Sequence, residues 1–121
     1  PNGVNIPFRM EIFLHLLPFA ASLAILAFFV HAIFWAMTFT VDEAYLRVRF
    51  YGYTARKVAL SDIEWAAQDW AFWNEHWTNT FSMDRIVLIR RRTGLFKNFH
   101  ISPPSPQEFL GELGGRGVTI R

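Results

Sequence analysis

The chain of 121 residues contains no cysteine. That absence excludes disulfide scaffolds, thiolate zinc sites, iron–sulfur clusters and cysteine nucleophiles together. Charge is scarce as well: Lys+Arg 12 against Asp+Glu 10 leaves a formal +2, too little to point to a nucleic-acid partner. Charged residues make up 18% against 52% hydrophobic ones, which rules out a disordered, solvating chain. Convergent catalytic groups are also lacking. The carboxylates are scattered singly, Glu75-His76 has no second histidine at helical spacing, and no serine sits in an elbow motif. Gly111, Gly114, Gly115 and Gly117 look superficially like a phosphate loop, but they follow a helical segment instead of linking a strand to one. The sequence therefore points to a non-enzymatic protein.

What is present is concentrated apolar surface. No charge occurs between Ile12 and Phe39, and only His15, Pro18, Ser22, His31 and Thr38 interrupt the apolar run. As a helix this run extends about 42 Å at roughly 1.5 Å per residue, against about 30 Å of bilayer hydrocarbon. An all-round apolar helix in water needs a large core around it, which a chain of this length does not supply. The expectation is a transmembrane helix over 12–39, an extramembrane arm over 1–11 and a separate domain over 40–121. Ala21-Ser22-Leu23-Ala24 resembles a signal-peptide cleavage site, but the apolar run continues well past it. Arg47, Arg49, Arg56 and Lys57 follow the run closely, whereas only Arg9, with Glu11 nearby, precedes it. The positive-inside bias then places the N-terminus outside and the C-terminal domain in the cytoplasm. Phe34, Trp35 and Phe39 fall toward the cytoplasmic interface, where amphipathic aromatics sit.

Beyond Phe39 the pattern changes to period two. Leu46, Val48 and Phe50 alternate with Arg47 and Arg49, which reads as a half-buried strand closed by a turn at Gly52. Residues 57–60 and 63–67 read as short strands joined at Ser61-Asp62, and 85–91 as a stronger one. Thr93-Gly94 turns the chain into a returning strand over 96–101. Ser105 as N-cap, Pro106 at the first helical position and Glu108 in a capping box start a helix with Phe109, Leu110 and Leu113 on one face. Gly114-Gly115 is its expected stop. The expected fold class is α+β: one transmembrane helix, then a small antiparallel β-barrel or curved sheet capped by a C-terminal helix.

Three stretches carry a resemblance. They are the strand pair from Tyr45-Leu46-Arg47-Val48 to Val58-Ala59-Leu60-Ser61-Asp62-Ile63; Phe81-Ser82-Met83-Asp84-Arg85-Ile86-Val87-Leu88-Ile89; and His100-Ile101-Ser102-Pro103-Pro104-Ser105-Pro106-Gln107-Glu108-Phe109-Leu110. In this order they resemble the small bacterial pleckstrin-homology-like (PH-like) domains that follow membrane helices. The resemblance implies a bent antiparallel sheet capped by a helix, a binding platform without enzymatic activity, and a bacterial source. The chain departs from many such relatives in having one membrane helix and an unusual aromatic insert, from Trp65 to Trp77.

That insert supplies the main candidate site. Trp65, Trp70, Phe72, Trp73 and Trp77 crowd into it, and Trp70, Trp73 and Trp77 have the i, i+3, i+7 spacing that a helical turn would align. They read either as a docking surface for a neighbouring subunit or the headgroup layer, or as rings closing a small core. Arg90, Arg91 and Arg92 form a basic tip that meets anionic headgroups or simply solvates a hairpin end. His31 lies inside the apolar run with Ala27 one turn before it. This spacing is similar to the Ala-x-x-x-His segments of bacterial light-harvesting helices, whose His ligates bacteriochlorophyll; the alternative is a hydrogen bond to a neighbouring helix. The leading expectation is an accessory or scaffold subunit of a larger complex in the bacterial inner membrane, partnered by other integral membrane subunits. Two alternatives accompany it. One is a pigment- or haem-binding subunit of a photosynthetic (reaction centre–light-harvesting) or respiratory complex, with His31 as axial ligand. The other is an anionic-lipid-binding module.

Overall fold

The structure, a computed structural model, describes residues 5–121. The expected outer arm, residues 1–11, falls partly outside them. The chain divides after His31 into two compact units. In the first, α1 (Phe8–His31) is apolar on every side and all its side chains are exposed, so nothing in it forms a stripe for a protein core. With the π-helical turn Ala32–Ala36 that continues it, the helical run Phe8–Ala36 is long and apolar enough to cross a membrane. It stops three residues short of the expected end at Phe39. Met37–Val41 is instead a strand, β1, because Thr38, Thr40 and Val41 favour extended backbone and β2 (Tyr45–Phe50) satisfies its hydrogen bonds.

The second unit holds two sheets and a helix, so the molecule is α+β. The first sheet is an antiparallel meander of β1, β2 and β3 (Tyr53–Ala59). Its β1–β2 turn is fixed by Asp42, whose Oδ1 accepts the Ala44 and Tyr45 amides at 2.9 and 2.8 Å while Arg47 Nε donates to Oδ2 at 2.8 Å. The β2–β3 turn places Tyr51 and Gly52 both at positive φ, +51° and +84°, the conformation a tight hairpin requires. A 3₁₀ turn, Leu60–Asp62, then delivers the chain to a second sheet, so the two strands flanking Ser61-Asp62 do not pair with each other.

The second sheet has the order β4-β6-β7-β5, from β4 (Ile63–Ala67), β6 (Val87–Arg91), β7 (Asn98–Ile101) and β5 (Glu75–Trp77). Two expectations are corrected. Among the described residues the strands form two separate sheets and no closed barrel, and β5 pairs with β7 in parallel, so the domain is not wholly antiparallel. A parallel partner needs a crossover, and residues 78–97 supply it through β6.

Both sheets and the C-terminal helix α2 (Pro106–Gly115) share one core. Leu46, Val48 and Val58 enter it from the first sheet, Val87, Ile89, Phe99 and Ile101 from the second, and Phe109, Leu110 and Leu113 from α2. The helix starts at Pro106 as expected, but Ser105 makes no side-chain cap and the capping box with Glu108 is not formed; the Ser105 carbonyl accepts the Phe109 amide instead. The helix ends at Gly115, within the expected Gly114-Gly115 stop, and Gly117 shapes the turn that follows. At φ +93° Gly117 lets the Val118 amide return to the Leu113 carbonyl at 3.1 Å and buries Val118.

Candidate functional site

The aromatic insert is a loop laid over the outer face of the second sheet. Alternation along β7 sends Phe99 and Ile101 into the core and Asn98 and His100 to the other face. Both outward residues grip the loop. Asn98 Nδ2 donates to the Trp73 carbonyl at 3.1 Å, and His100 Nε2 accepts the Ala71 amide at 3.0 Å. Within the loop, Asn74 Nδ2 donates to the Ala71 and Phe72 carbonyls at 2.9 and 3.2 Å, and Asp69 Oδ1 accepts the Trp70 amide at 2.8 Å. These local side-chain bonds compete with helix formation, so the expected helical alignment of Trp70, Trp73 and Trp77 does not occur.

The backbone is thus held while its rings point outward. Trp70, Phe72 and Trp73 are 52%, 87% and 63% exposed. Trp73 stacks on Phe96, the ring centroids 5.3 Å apart, which fixes its plane. The remaining two rings are used differently. Trp77 packs against the core, and its indole Nε1 donates to Glu75 Oε2 at 2.6 Å. Trp65 is half-buried under the Arg121 guanidinium, which sits 4.7 Å from its ring centroid.

Electrostatics at the edges of the site lock it to the fold. Arg56 on β3 reaches Glu75 on β5 with Nε and Nη2, at 2.8 and 3.1 Å, so a two-pronged ion pair joins the two sheets. Burial raises the Glu75 carboxyl, but the Arg56 and Trp77 hydrogen bonds and the Arg56 charge outweigh it and leave Glu75 below its ordinary value. His100 is 2% exposed; burial first, and then the His76 ring 5.7 Å away, hold it down to about 4. Because Nε2 accepts from Ala71, the neutral ring carries its proton on Nδ1, a buried atom that makes no hydrogen bond among the described residues.

The three arginines are separated by their bonds. Arg90 Nη1 donates to Asn98 Oδ1 at 2.9 Å, and Arg91 Nε pairs with Asp62 Oδ2 at 3.1 Å with both side chains largely buried. Arg92 is the exposed one of the three. Asp62 is a hub, since its Oδ1 also accepts the Thr93 amide and hydroxyl at 3.1 and 2.8 Å. Asp62→Ala is expected to cost about 2 kcal/mol, because it strands the Arg91 guanidinium in a mostly buried place. A shifted urea midpoint with unchanged slope checks this.

His31 is the last residue of α1 and exposed, and Ala27 keeps its place one turn earlier in the same helix. The spacing that suggested bacteriochlorophyll or haem is preserved there. Among the described residues no three His, Asp or Glu side chains form a metal-binding group. His100, Asn98 and Asn74 are the positioning residues that sequence reading missed. Asp69 and Asn74 flanking the aromatic cluster were the local sign of a side-chain-bonded loop. Compared with protein-family models, curated proteins and solved structures, the chain matches none of them.

Proposed function

We propose that this chain is a non-enzymatic, single-pass membrane protein that serves as an accessory or scaffold subunit of a larger membrane complex. In this reading Phe8–Ala36 crosses the bacterial inner membrane with the N-terminus outside, and a PH-like domain lies in the cytoplasm. The observation that carries it is the pinned aromatic loop. Large rings left in water usually collapse onto the nearest apolar surface. Here the buried His100 and the amides of Asn74 and Asn98 hold the backbone so that Trp70, Phe72 and Trp73 stand away from the core. Preorganised, exposed aromatics of this kind are what protein interfaces use as anchors.

The loop's position favours a protein partner over lipid. The Trp77 end of β5 lies toward Phe50, whose register partner is Met37 at the start of the domain. The loop precedes the opposite end, at Glu75, and so sits farther from where the apolar run joins the domain. The PH-like assignment rests on the ordered sequence resemblance. It is supported by two sheets over one core with a C-terminal helix whose Phe109, Leu110 and Leu113 cover it.

The test is purification in gentle detergent from native membranes. Stoichiometric association with other membrane subunits is expected. The combined variant Trp70→Ala, Phe72→Ala, Trp73→Ala should weaken it at least about tenfold while the unfolding midpoint stays near that of the parent, since the changes are at exposed sites. Recovery of the parent as a lone monomer would overturn the proposal.

A further inference from the structure

The helical run and the β domain share residues 32–36, and a second set of aromatics gathers around them. The Tyr51 amide donates to the Ala36 carbonyl at 3.4 Å, which brings the β2–β3 turn to the end of the run. Tyr53, at the far side of that turn, is 81% exposed. The Phe34 ring lies 5.9 Å from that of Phe81, which is 93% exposed. Trp35 stands largely exposed between them in sequence, in the same π-helical turn. An apolar cleft of about 300 Å³ lies at this end too, lined by Ile33, Met37, Phe50 and Trp77 together with His76 and Thr78.

None of these aromatics is close to another in sequence except Phe34 with Trp35 and Tyr51 with Tyr53. The fold brings three separate segments to the point where the apolar run ends. Ile33 and Phe34 belong to the run and to this surface at once, and the Phe34–Phe81 ring contact joins the segment at Phe81 to them. Tyrosine and tryptophan, with an apolar body and a polar tip, are the side chains that favour the boundary between headgroups and hydrocarbon. Arg49 adds a cation here: its Nε donates to the Gly52 carbonyl at 3.1 Å, which holds it beside the turn. In the segment after Phe81, Asp84 is exposed and Arg85 follows it.

We infer that Phe34, Trp35, Tyr51, Tyr53 and Phe81 form an interfacial belt that seats the β domain directly on the bilayer, with Phe81 dipping into the headgroup–acyl boundary. The occupant of this surface is lipid. The inference rests on the reading of Phe8–Ala36 as a membrane span.

The absence of cysteine makes the test direct. Single variants Phe81→Cys, Tyr53→Cys, Leu23→Cys and Glu43→Cys of the full chain are spin-labelled and reconstituted into phosphatidylcholine–phosphatidylglycerol vesicles. Collision with oxygen is compared with collision with a water-soluble nickel chelate. Glu43 is the aqueous control, because it lies in the β1–β2 turn, at the end of the hairpin away from Met37 and about 13 Å along the strand. Leu23, in α1, reports the span itself. Positions 81 and 53 are expected to show an oxygen-to-nickel ratio severalfold above that at 43 and at or below that at 23. If 23 reads as hydrocarbon while 81 and 53 match 43, the belt is overturned and the span stands. If 23 also matches 43, the span fails and the belt with it. Shielding of 81 and 53 from both reagents would assign the surface to a protein contact and overturn the inference.

Discussion

Replacing Phe99 by Ala is expected to remove about 3–5 kcal/mol of unfolding free energy, the usual cost of emptying a large aromatic site in a packed core. Phe99 is fully buried on β7, with Ile89 of β6 opposite it on one side and Glu75 of β5 on the other. The Arg56 guanidinium lies 5.8 Å from its ring centroid, so the ring also supports the ion pair that joins the sheets. Domains of this size have roughly 5–15 kcal/mol in total, so the loss is a large share of the whole. Denaturant unfolding of the full chain in mild detergent measures it. Phe72→Ala is the matched comparison: the same side chain, 87% exposed, should change stability by no more than about 0.5 kcal/mol. A cost below about 1 kcal/mol for Phe99→Ala would contradict the core as assigned.

The contrast between those two phenylalanines marks what the sequence could reveal. Strong local patterns were legible. Leu46 and Val48 alternate with Arg47 and Arg49 and form β2 as read; Val87 to Ile89 form a buried strand; Phe109, Leu110 and Leu113 form the inward stripe of α2. In each case the burial that stabilises the element is written in its own residues. The break between helix and domain was harder to place. Met37–Val41 carries the alternation of a strand, but it continues an apolar run without a charge or turn residue to separate them. Helix and strand both bury such residues well, and the choice is made by pairing with β2, which lies outside the segment.

The candidate site was legible in composition and illegible in geometry. The crowding of Trp70, Phe72 and Trp73 signalled an unusual surface, yet their helical spacing misled. What positions them is the grip of Asn98 and His100, which lie 25 and 29 residues from the backbone groups they bind. No periodicity reports a contact of that kind. β5 is similar: three residues with no strand signature of their own, held in place by parallel pairing to β7. The interfacial aromatics show the same limit, since Phe81 meets Phe34 across 47 residues that include the whole first sheet.

Acid is expected to destabilise the domain well before its carboxylates titrate, and His100 is the cause. In the folded protein its value is about 4, against an ordinary 6.5 when unfolded. Between those limits the unfolded chain binds the proton and the folded one does not. Stability therefore rises with pH across this window, is complete above about 6.5, and draws nothing further from His100 below about 4. The gap corresponds to about 3 kcal/mol, or roughly 10–20 °C in Tm for a domain of this size. Glu75 acts in a separate range. Its lowered value means that its contribution is present above the usual glutamate range and fades only as pH falls through a lower one. His100→Gln keeps an acceptor for the Ala71 amide but removes the titration, so its Tm should stay nearly flat from pH 7 to 5 while that of the parent falls. Protonation also places an N–H at Nε2 against the Ala71 N–H, so the loop should release first. Amide exchange at Ala71 should then accelerate with falling pH, once corrected for intrinsic rate, in the parent and not in His100→Gln. Equal slopes in the two proteins would show that His100 does not hold the aromatic loop in place.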